Sequence, residues 1–85
     1  MNGLKVAVIG AGSWGTTLAM VLAKNAHEVT LWALEPEVVE QITRELENRR
    51  FLRGIALPDT LTATSDLATA LRDAAVLVKI GRAHV

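Results

Sequence analysis

Three glycines, at positions 10, 12 and 15, follow an apolar run with the spacing Gly-x-Gly-x-x-Gly. Each has a separate use where a strand turns into a helix. Gly10 permits the tight turn, Gly12 leaves room for a phosphate to approach the backbone, and Gly15 lets the helix pack closely on the strand. The free N–H groups and the positive dipole end of the helix stabilise phosphate charge without a lysine. The spacing therefore predicts a site for the diphosphate of a dinucleotide.

The glycine spacing is a weak signal by itself, and an ordinary glycine turn without a ligand is the alternative. Its surroundings favour the dinucleotide site. Residues 4–9 are an apolar run typical of a parallel strand buried on both faces. Residues 14–25 have a helical period, and residues 27–33 supply a second strand. Glu35 follows Gly15 by 20 positions, which completes the pattern of strand, helix, strand and acid in a dinucleotide-binding unit.

A second helix is predicted from Pro36, which suits a first helical turn. Val38, Ile42 and Leu46 recur every four residues and are expected on its buried face. Oppositely charged pairs four residues apart, Glu40 with Arg44 and Glu45 with Arg49, indicate a solvated face.

The rest of the chain continues the alternation of helix and strand. Residues 61–64 form a weak third strand, and Ser65 or Asp66 caps a short helix that runs to Leu71. Residues 74–78 begin a fourth strand. The sequence therefore predicts an α/β fold, a Rossmann-type parallel sheet with flanking helices, incomplete and in the order βαβαβαβ.

Composition excludes several classes of protein. Nine basic and nine acidic side chains in 85 residues give no electrostatic preference for nucleic acid. Cysteine is absent, which excludes disulfide frameworks and thiolate metal sites, and no metal site is expected. No apolar run approaches the roughly 20 residues of a membrane span, and the first strand starts too near Met1 for a signal peptide. We expect a cytoplasmic domain without a membrane span.

Residues 1–78 resemble the N-terminal part of bacterial-type NAD(P)-dependent glycerol-3-phosphate dehydrogenase. The resemblance is carried by VAVIGAGSWGTTLA at 6–19, HEVTLWA at 27–33, and more weakly by NRRFLRG at 48–54 with Leu57-Pro58. Within the glycine motif, the pair Ser13-Trp14 is more specific than the glycines. The resemblance implies NAD or NADP as cofactor, contacts to it from Ser13 and Trp14, and an aromatic ring near it at Phe51.

Both aromatic residues have a structural alternative. Trp14 shares helical spacing with Leu18, Val21 and Leu22, which is compatible with a core aromatic on the first helical turn. The small residues Gly15, Ala19 and Ala23 form a second stripe that allows close approach to the sheet. Phe51 is favoured as a core residue.

The resemblance implies an enzyme that interconverts sn-glycerol 3-phosphate and dihydroxyacetone phosphate by hydride transfer and serves glycerolipid synthesis. The family's catalytic groups lie after this region, so no catalytic residue is assigned here. The substrate domain is absent, and substrate binding and a homodimer are expected only of the full-length protein. We expect the 85-residue chain to be inactive and, with an exposed sheet edge, unstable. The alternative is a dinucleotide-binding module of another reductase or of a non-catalytic NAD(P) sensor.

Cofactor choice depends on the residues after the second strand. Many relatives place an arginine or histidine where this chain has Leu34, so the cation that would meet the 2′-phosphate of NADP is missing. Glu35 is expected to accept hydrogen bonds from the ribose hydroxyls of NAD. As an alternative, Glu35 is only a helix N-cap, where negative charge is favourable for any ligand. Arg44, Arg49 and Arg50 leave NADP open.

Residues 79–85 depart from the family, which continues the fourth strand with apolar residues. Lys79 is expected to interrupt that strand. The tail Ile-Gly-Arg-Ala-His-Val is also encoded, in one frame, by ATCGGAAGAGCACACGTC, which resembles a widely used sequencing-library adapter. We therefore expect a partial dinucleotide-binding domain at 1–78 and a non-native tail at 79–85. A continuous natural reading frame for the tail at the genomic locus would refute this hypothesis.

Overall fold

Residues 3–80 are described by the computed structural model, and they alternate strands and helices. The elements are β1 Lys5–Ile9, α1 Ser13–Lys24, β2 Glu28–Trp32, α2 Pro36–Glu45, β3 Leu61–Thr64, α3 Leu67–Leu71 and β4 Val76–Lys79. This order confirms the predicted α/β fold.

All strand pairs are parallel, and the sheet has the order β3-β2-β1-β4. The chain runs outward from β1 through β2 to β3 and then crosses back to β4 on the other side of β1. The strand order therefore reverses beside β1. In open parallel sheets a ligand crevice lies at such a reversal, outside the carboxyl ends of the strands.

The core lies between the central strands and the two longer helices. Val8, Val29 and Leu31 are fully buried in β1 and β2. The helix α2 contributes Val38 and Ile42, as its four-residue period predicted. Leu46, predicted on the same helical face, instead ends α2 in the left-handed conformation with a φ of 54° and is half-buried.

The helix α1 buries the face that carries its small residues, and not a face centred on Trp14. Its buried residues are Gly15, Thr16, Ala19 and Ala23. The larger residues of the other stripe are less buried: Trp14 is 80% exposed and Val21 is 46% exposed, while Leu18 and Leu22 are half-buried and Leu22 packs against the core. Small side chains let the helix backbone approach the sheet, and the bulky ones are consequently displaced to its flanks.

The strand β4 extends beyond its predicted limit. Lys79 was expected to interrupt this strand, and the expectation was wrong, because Lys79 is the last residue of β4 and lies in register with Ile9. The N–H of Ile80 then donates to the carbonyl of Ile9 at 2.9 Å. An edge strand tolerates a lysine because its side chain is exposed to solvent, as it is here. Residues 81–85 of the predicted tail lie outside the described residues.

The N-cap residue of the short helix α3 is Asp66, one of the two caps proposed from the sequence, but its carboxylate makes no capping hydrogen bond to the helix backbone within residues 3–80. The Thr69 hydroxyl donates to the Asp66 carboxylate. This hydrogen bond is the main reason that the pKa of Asp66 lies below its usual range.

Gly15 is where we expect the fold to be most sensitive to a single methyl group. A Cβ at position 15 would lie 1.7 Å from the carbonyl oxygen of Gly10, which is backbone, so helix and strand must separate. We expect Gly15→Ala to lower the free energy of unfolding by about 2–3 kcal/mol in urea denaturation, although alanine favours helices elsewhere.

Gly12→Ala is the matched control for this substitution. A Cβ at position 12 has no atom of residues 3–80 within 4 Å. Its expected cost is about 1 kcal/mol, from replacing glycine at an N-cap. Equal losses in the two variants would contradict the close helix–strand contact.

Candidate functional site

One cavity of about 290 Å³ opens where β1 ends and α1 begins. It brings together all eight residues that the sequence analysis predicted as cofactor contacts: Gly10, Gly12, Ser13, Trp14, Gly15, Leu34, Glu35 and Phe51. Ala11, Trp32 and Ile80, which were not predicted, complete the lining. The cavity lies at the carboxyl ends of the strands, beside the reversal of strand order.

Gly10 makes the turn out of β1. Its φ is +119°, a conformation that side chains rarely adopt. A Cβ there would also lie 2.4 Å from the carbonyl oxygen of Ile80. The Gly10 N–H donates to the carbonyl of Trp32 at 3.0 Å, which fixes the turn to the end of β2.

Gly12 is the N-cap of α1, and its backbone does not require glycine. Its φ of −73° and ψ of −169° are open to any residue. A Cβ would meet no atom within 4 Å among residues 3–80. Packing within the described chain therefore does not account for glycine at this position. A group that approaches the backbone from the cavity does account for it.

The N-terminus of α1 faces this open space with its amide groups available. The helical ladder starts with the N–H of Thr16, which donates to the Gly12 carbonyl at 2.9 Å. The N–H groups of Ser13, Trp14 and Gly15 precede it. No side chain in residues 3–80 caps this end, and the first turn holds no acid. This end of α1 therefore carries the partial positive charge of free N–H groups and is suited to a diphosphate.

The two aromatic residues differ in how they are held. Trp14 is 80% exposed and lines the cavity, so the alternative of a core tryptophan is wrong. Phe51 is half-buried and packs against the core, as its core interpretation held, and it also lines the cavity. The Ser13 hydroxyl donates to the Phe51 carbonyl at 2.5 Å and thereby ties the loop after α2 to the start of α1.

Leu34 and Glu35 lie on the opposite wall of the cavity, after β2. Leu34 is 72% exposed, and no cation stands in its place. Glu35 is the N-cap of α2, as its alternative interpretation held, but its carboxylate makes no capping hydrogen bond within residues 3–80. A carboxylate in this wall is suited to accept hydrogen bonds from a diol and repels a phosphate.

The three arginines considered as ligands for a phosphate are outside the cavity lining. Each pairs with a carboxylate of α2: Arg44 with Glu40 at 3.7 Å, Arg49 with Glu45, and Arg50 with Glu37 at 3.1 Å. These exposed pairs are weak, but they hold the three guanidinium groups beside α2, outside the cavity lining.

Sequence reasoning missed two residues that shape the site. Trp32 lines the cavity, and its indole Nε1 donates to the carbonyl of Ser65 at 3.0 Å. Its position at the end of the second strand was the available signal. Asn48, in the loop after α2, is fully buried and donates to the carbonyl of Ala11 in the glycine-rich turn. A loop has no periodicity from which its burial could be read.

Residues 3–80 contain no cluster of three potential metal ligands. Within the same range, none of the helices has the length and apolarity that crossing a bilayer requires.

Comparison with known families gives this geometry a context. The family model described as NAD-dependent glycerol-3-phosphate dehydrogenase N-terminus matches residues 5–81. The chain belongs to this family. The resemblance drawn from the Ser-Trp pair and the flanking strands is therefore confirmed.

Curated relatives bear the name glycerol-3-phosphate dehydrogenase (NAD(P)+). The chain is 51% identical over 80 residues to the protein of Xanthomonas oryzae, covering 94% of this chain and 24% of that one. It is 57% identical over 74 residues to the protein of Citrifermentans bemidjiense, covering 87% and 22%. The chain thus spans about a quarter of the length of these relatives and matches their N-terminal, NAD-binding region.

Solved glycerol-3-phosphate dehydrogenases have the same fold in this region. The Coxiella burnetii structure superposes with a TM-score of 0.84 at 38% identity, over 91% of this chain and 24% of that one. The yeast structure superposes with a TM-score of 0.85 at 37% identity, over 93% and 26%.

The exposure of Trp14 has a measurable consequence for stability. We expect Trp14→Ala to change the free energy of unfolding by less than about 0.5 kcal/mol, because the indole packs on little. Chemical denaturation followed by circular dichroism measures this. A loss of about 3–5 kcal/mol would place Trp14 in the core instead. Trp32→Ala is the control and should cost more, since Trp32 is half-buried and hydrogen-bonded.

Proposed function

We propose that this chain is the NAD(P)-binding N-terminal part of an sn-glycerol-3-phosphate dehydrogenase. The complete enzyme interconverts glycerol 3-phosphate and dihydroxyacetone phosphate by hydride transfer and serves glycerolipid synthesis. The observation that carries the proposal is Gly12, a glycine with open space above it at an uncapped helix N-terminus. That arrangement is the one a dinucleotide diphosphate requires.

Each part of the cavity has a task in this proposal. The amides at the start of α1 hold the diphosphate, and Ser13 and Trp14 contact the dinucleotide beside it. Glu35 accepts hydrogen bonds from ribose hydroxyls, and Phe51 bounds the cavity with an apolar ring. The nicotinamide, when bound, supplies the group that accepts or donates the hydride. The chain's contribution is orientation and the exclusion of water.

We assign catalysis to the part of the relatives' length that this chain does not span. Glu35 is the only titratable side chain in the cavity lining, within the described residues. We therefore place the proton-transfer groups and the substrate in the remaining three-quarters. In the proposed arrangement residues 1–78 are a partial dinucleotide-binding domain and 79–85 a non-native tail. The complete enzyme is cytoplasmic, is a homodimer and has no nucleic-acid partner.

With Glu35 as the only titratable side chain in the lining among the described residues, the cavity also fits a second candidate function. A dinucleotide-binding module of another reductase, or of a non-catalytic NAD(P) sensor, needs only the features that the described residues provide. Turnover of glycerol 3-phosphate separates the two, because only the first candidate predicts it.

A chimera tests the proposed function directly. Residues 1–78 of this chain would replace the corresponding N-terminal residues of the Xanthomonas oryzae dehydrogenase, a relative that is 51% identical over 80 residues. We expect the chimera to reduce dihydroxyacetone phosphate with NADH. Gly12→Asn should raise its KM for NADH at least about tenfold, because the side chain fills the space reserved for the diphosphate.

Asparagine is chosen because it is among the best N-cap residues, so α1 should be as stable as before or more so. Thermal unfolding of the variant checks this point. A folded chimera without turnover would reject the dehydrogenase, and NADH binding without turnover would favour the second candidate. An unchanged KM in Gly12→Asn would place the dinucleotide elsewhere.

Cofactor preference follows from the wall formed by Leu34 and Glu35. We expect the chimera to have a lower KM for NADH than for NADPH, because Glu35 repels a 2′-phosphate and Leu34 offers no cation. Glu35→Gln should lower the KM for NADPH severalfold. Glu40→Gln makes the same change of charge outside the cavity and should leave both values unchanged. Equal or tighter binding of NADPH by the unmodified chimera would contradict this assignment.

A further inference from the structure

Asn48 is one of two buried polar side chains among the described residues, the other being Thr16, and neither has any exposed surface. Asn48 lies in the irregular segment between α2 and β3, outside any helix or strand. A buried amide is costly unless its donors and its acceptor are all used. The hydrogen bonds of Asn48 therefore show what it positions.

The amide nitrogen of Asn48 holds the glycine-rich turn. Its Nδ2 donates to the carbonyl of Ala11 at 3.0 Å and to the Thr16 hydroxyl at 2.9 Å. The Thr16 hydroxyl in turn donates to the same Ala11 carbonyl at 3.2 Å. Ala11 lies between the glycine that makes the turn and the glycine that faces the open space. Two donors thus fix the one peptide plane that sets the direction of the turn.

The amide oxygen of Asn48 holds the aromatic wall of the cavity. Its Oδ1 accepts the N–H of Phe51 at 3.3 Å, and the carbonyl of Phe51 accepts the Ser13 hydroxyl at 2.5 Å. The backbone carbonyl of Asn48 also accepts the N–H of Leu52 at 2.7 Å. Both polar backbone groups of Phe51 are therefore occupied, one by Asn48 and one by the first residue of α1.

The amide of Asn48 satisfies both sides of this arrangement, with two donor hydrogens on one side and an acceptor oxygen on the other. The Ala11 carbonyl can only accept and the Phe51 N–H can only donate, so the bridging group needs a donor and an acceptor together. An aspartate would present an oxygen to the Ala11 carbonyl, and a leucine would leave both partners without a bond. Asn48 thus joins two parts of the cavity lining: Ala11, which is 37 residues away in sequence, and Phe51, which is three residues away.

We propose that Asn48, together with Thr16, is a positioning residue for the dinucleotide. It holds the glycine-rich turn and Phe51 in their binding arrangement before the cofactor arrives. The proposal rests on the proposed function. A loop that is already ordered in the folded protein loses little conformational entropy when the cofactor binds, and affinity is higher as a result. Loss of the bridge therefore weakens cofactor binding beyond its effect on stability.

The chimera carrying Asn48→Ala tests this inference. We expect the KM for NADH to rise about tenfold, while the KM for dihydroxyacetone phosphate stays within about twofold. Val29→Ala is the matched control, since it also truncates a fully buried side chain but lies near the amino end of β2, away from the cavity. It should lower thermal stability without changing the KM for NADH.

A second pair of variants keeps the test decisive if Asn48→Ala does not fold. Thr16→Val removes the hydroxyl at nearly constant volume and should raise the KM for NADH about threefold. Thr16→Ser retains the hydroxyl and should have the KM for NADH of the unmodified chimera. An unchanged KM in Thr16→Val, or equal changes in Asn48→Ala and Val29→Ala, would overturn the inference while leaving the proposed function intact. An unmodified chimera that folds without turnover would overturn both.

Discussion

The close packing of α1 against the end of β1 is the constraint on which the rest of the site depends. Gly15 brings the helix backbone against the carbonyl of Gly10, and no side chain fits between them. This contact aims the free amides of the helix into the crevice where the strand order reverses. The packing of the fold and the exposure of these amides therefore depend on the same contact. A helix that stood further from the strand would lose packing and binding potential together.

The sequence was most informative where sterics or burial leave few choices. The buried first strand, the turn at Gly10 and Asp66 as the N-cap of α3 were predicted correctly, since a central parallel strand needs apolar residues and a turn at positive φ needs glycine. The choice between two stripes on α1 was less certain. Helical spacing placed Trp14 on a common face with larger residues, but spacing cannot tell which face approaches the sheet.

Contacts between distant segments were beyond sequence reasoning. Asn48 meets Thr16 across 32 positions, and both partners look ordinary in the sequence. Among the arginines that left the choice of cofactor open, Arg44 and Arg49 pair with the carboxylates that their four-residue spacing predicted, whereas the pairing of Arg50 with Glu37 needed coordinates. Leu46 ends it in a left-handed conformation, which a four-residue apolar repeat does not reveal. The loop after α2 therefore holds most of what the pattern could not predict.

The positions of Trp14 and Trp32 give the chain an optical property. They are its only two tryptophans, and both line the cavity. One is open to solvent, and the other donates its indole proton to a backbone carbonyl. Ultraviolet emission from this chain consequently originates entirely at the walls of the crevice, which makes the unlabelled protein its own fluorescent reporter for whatever enters there.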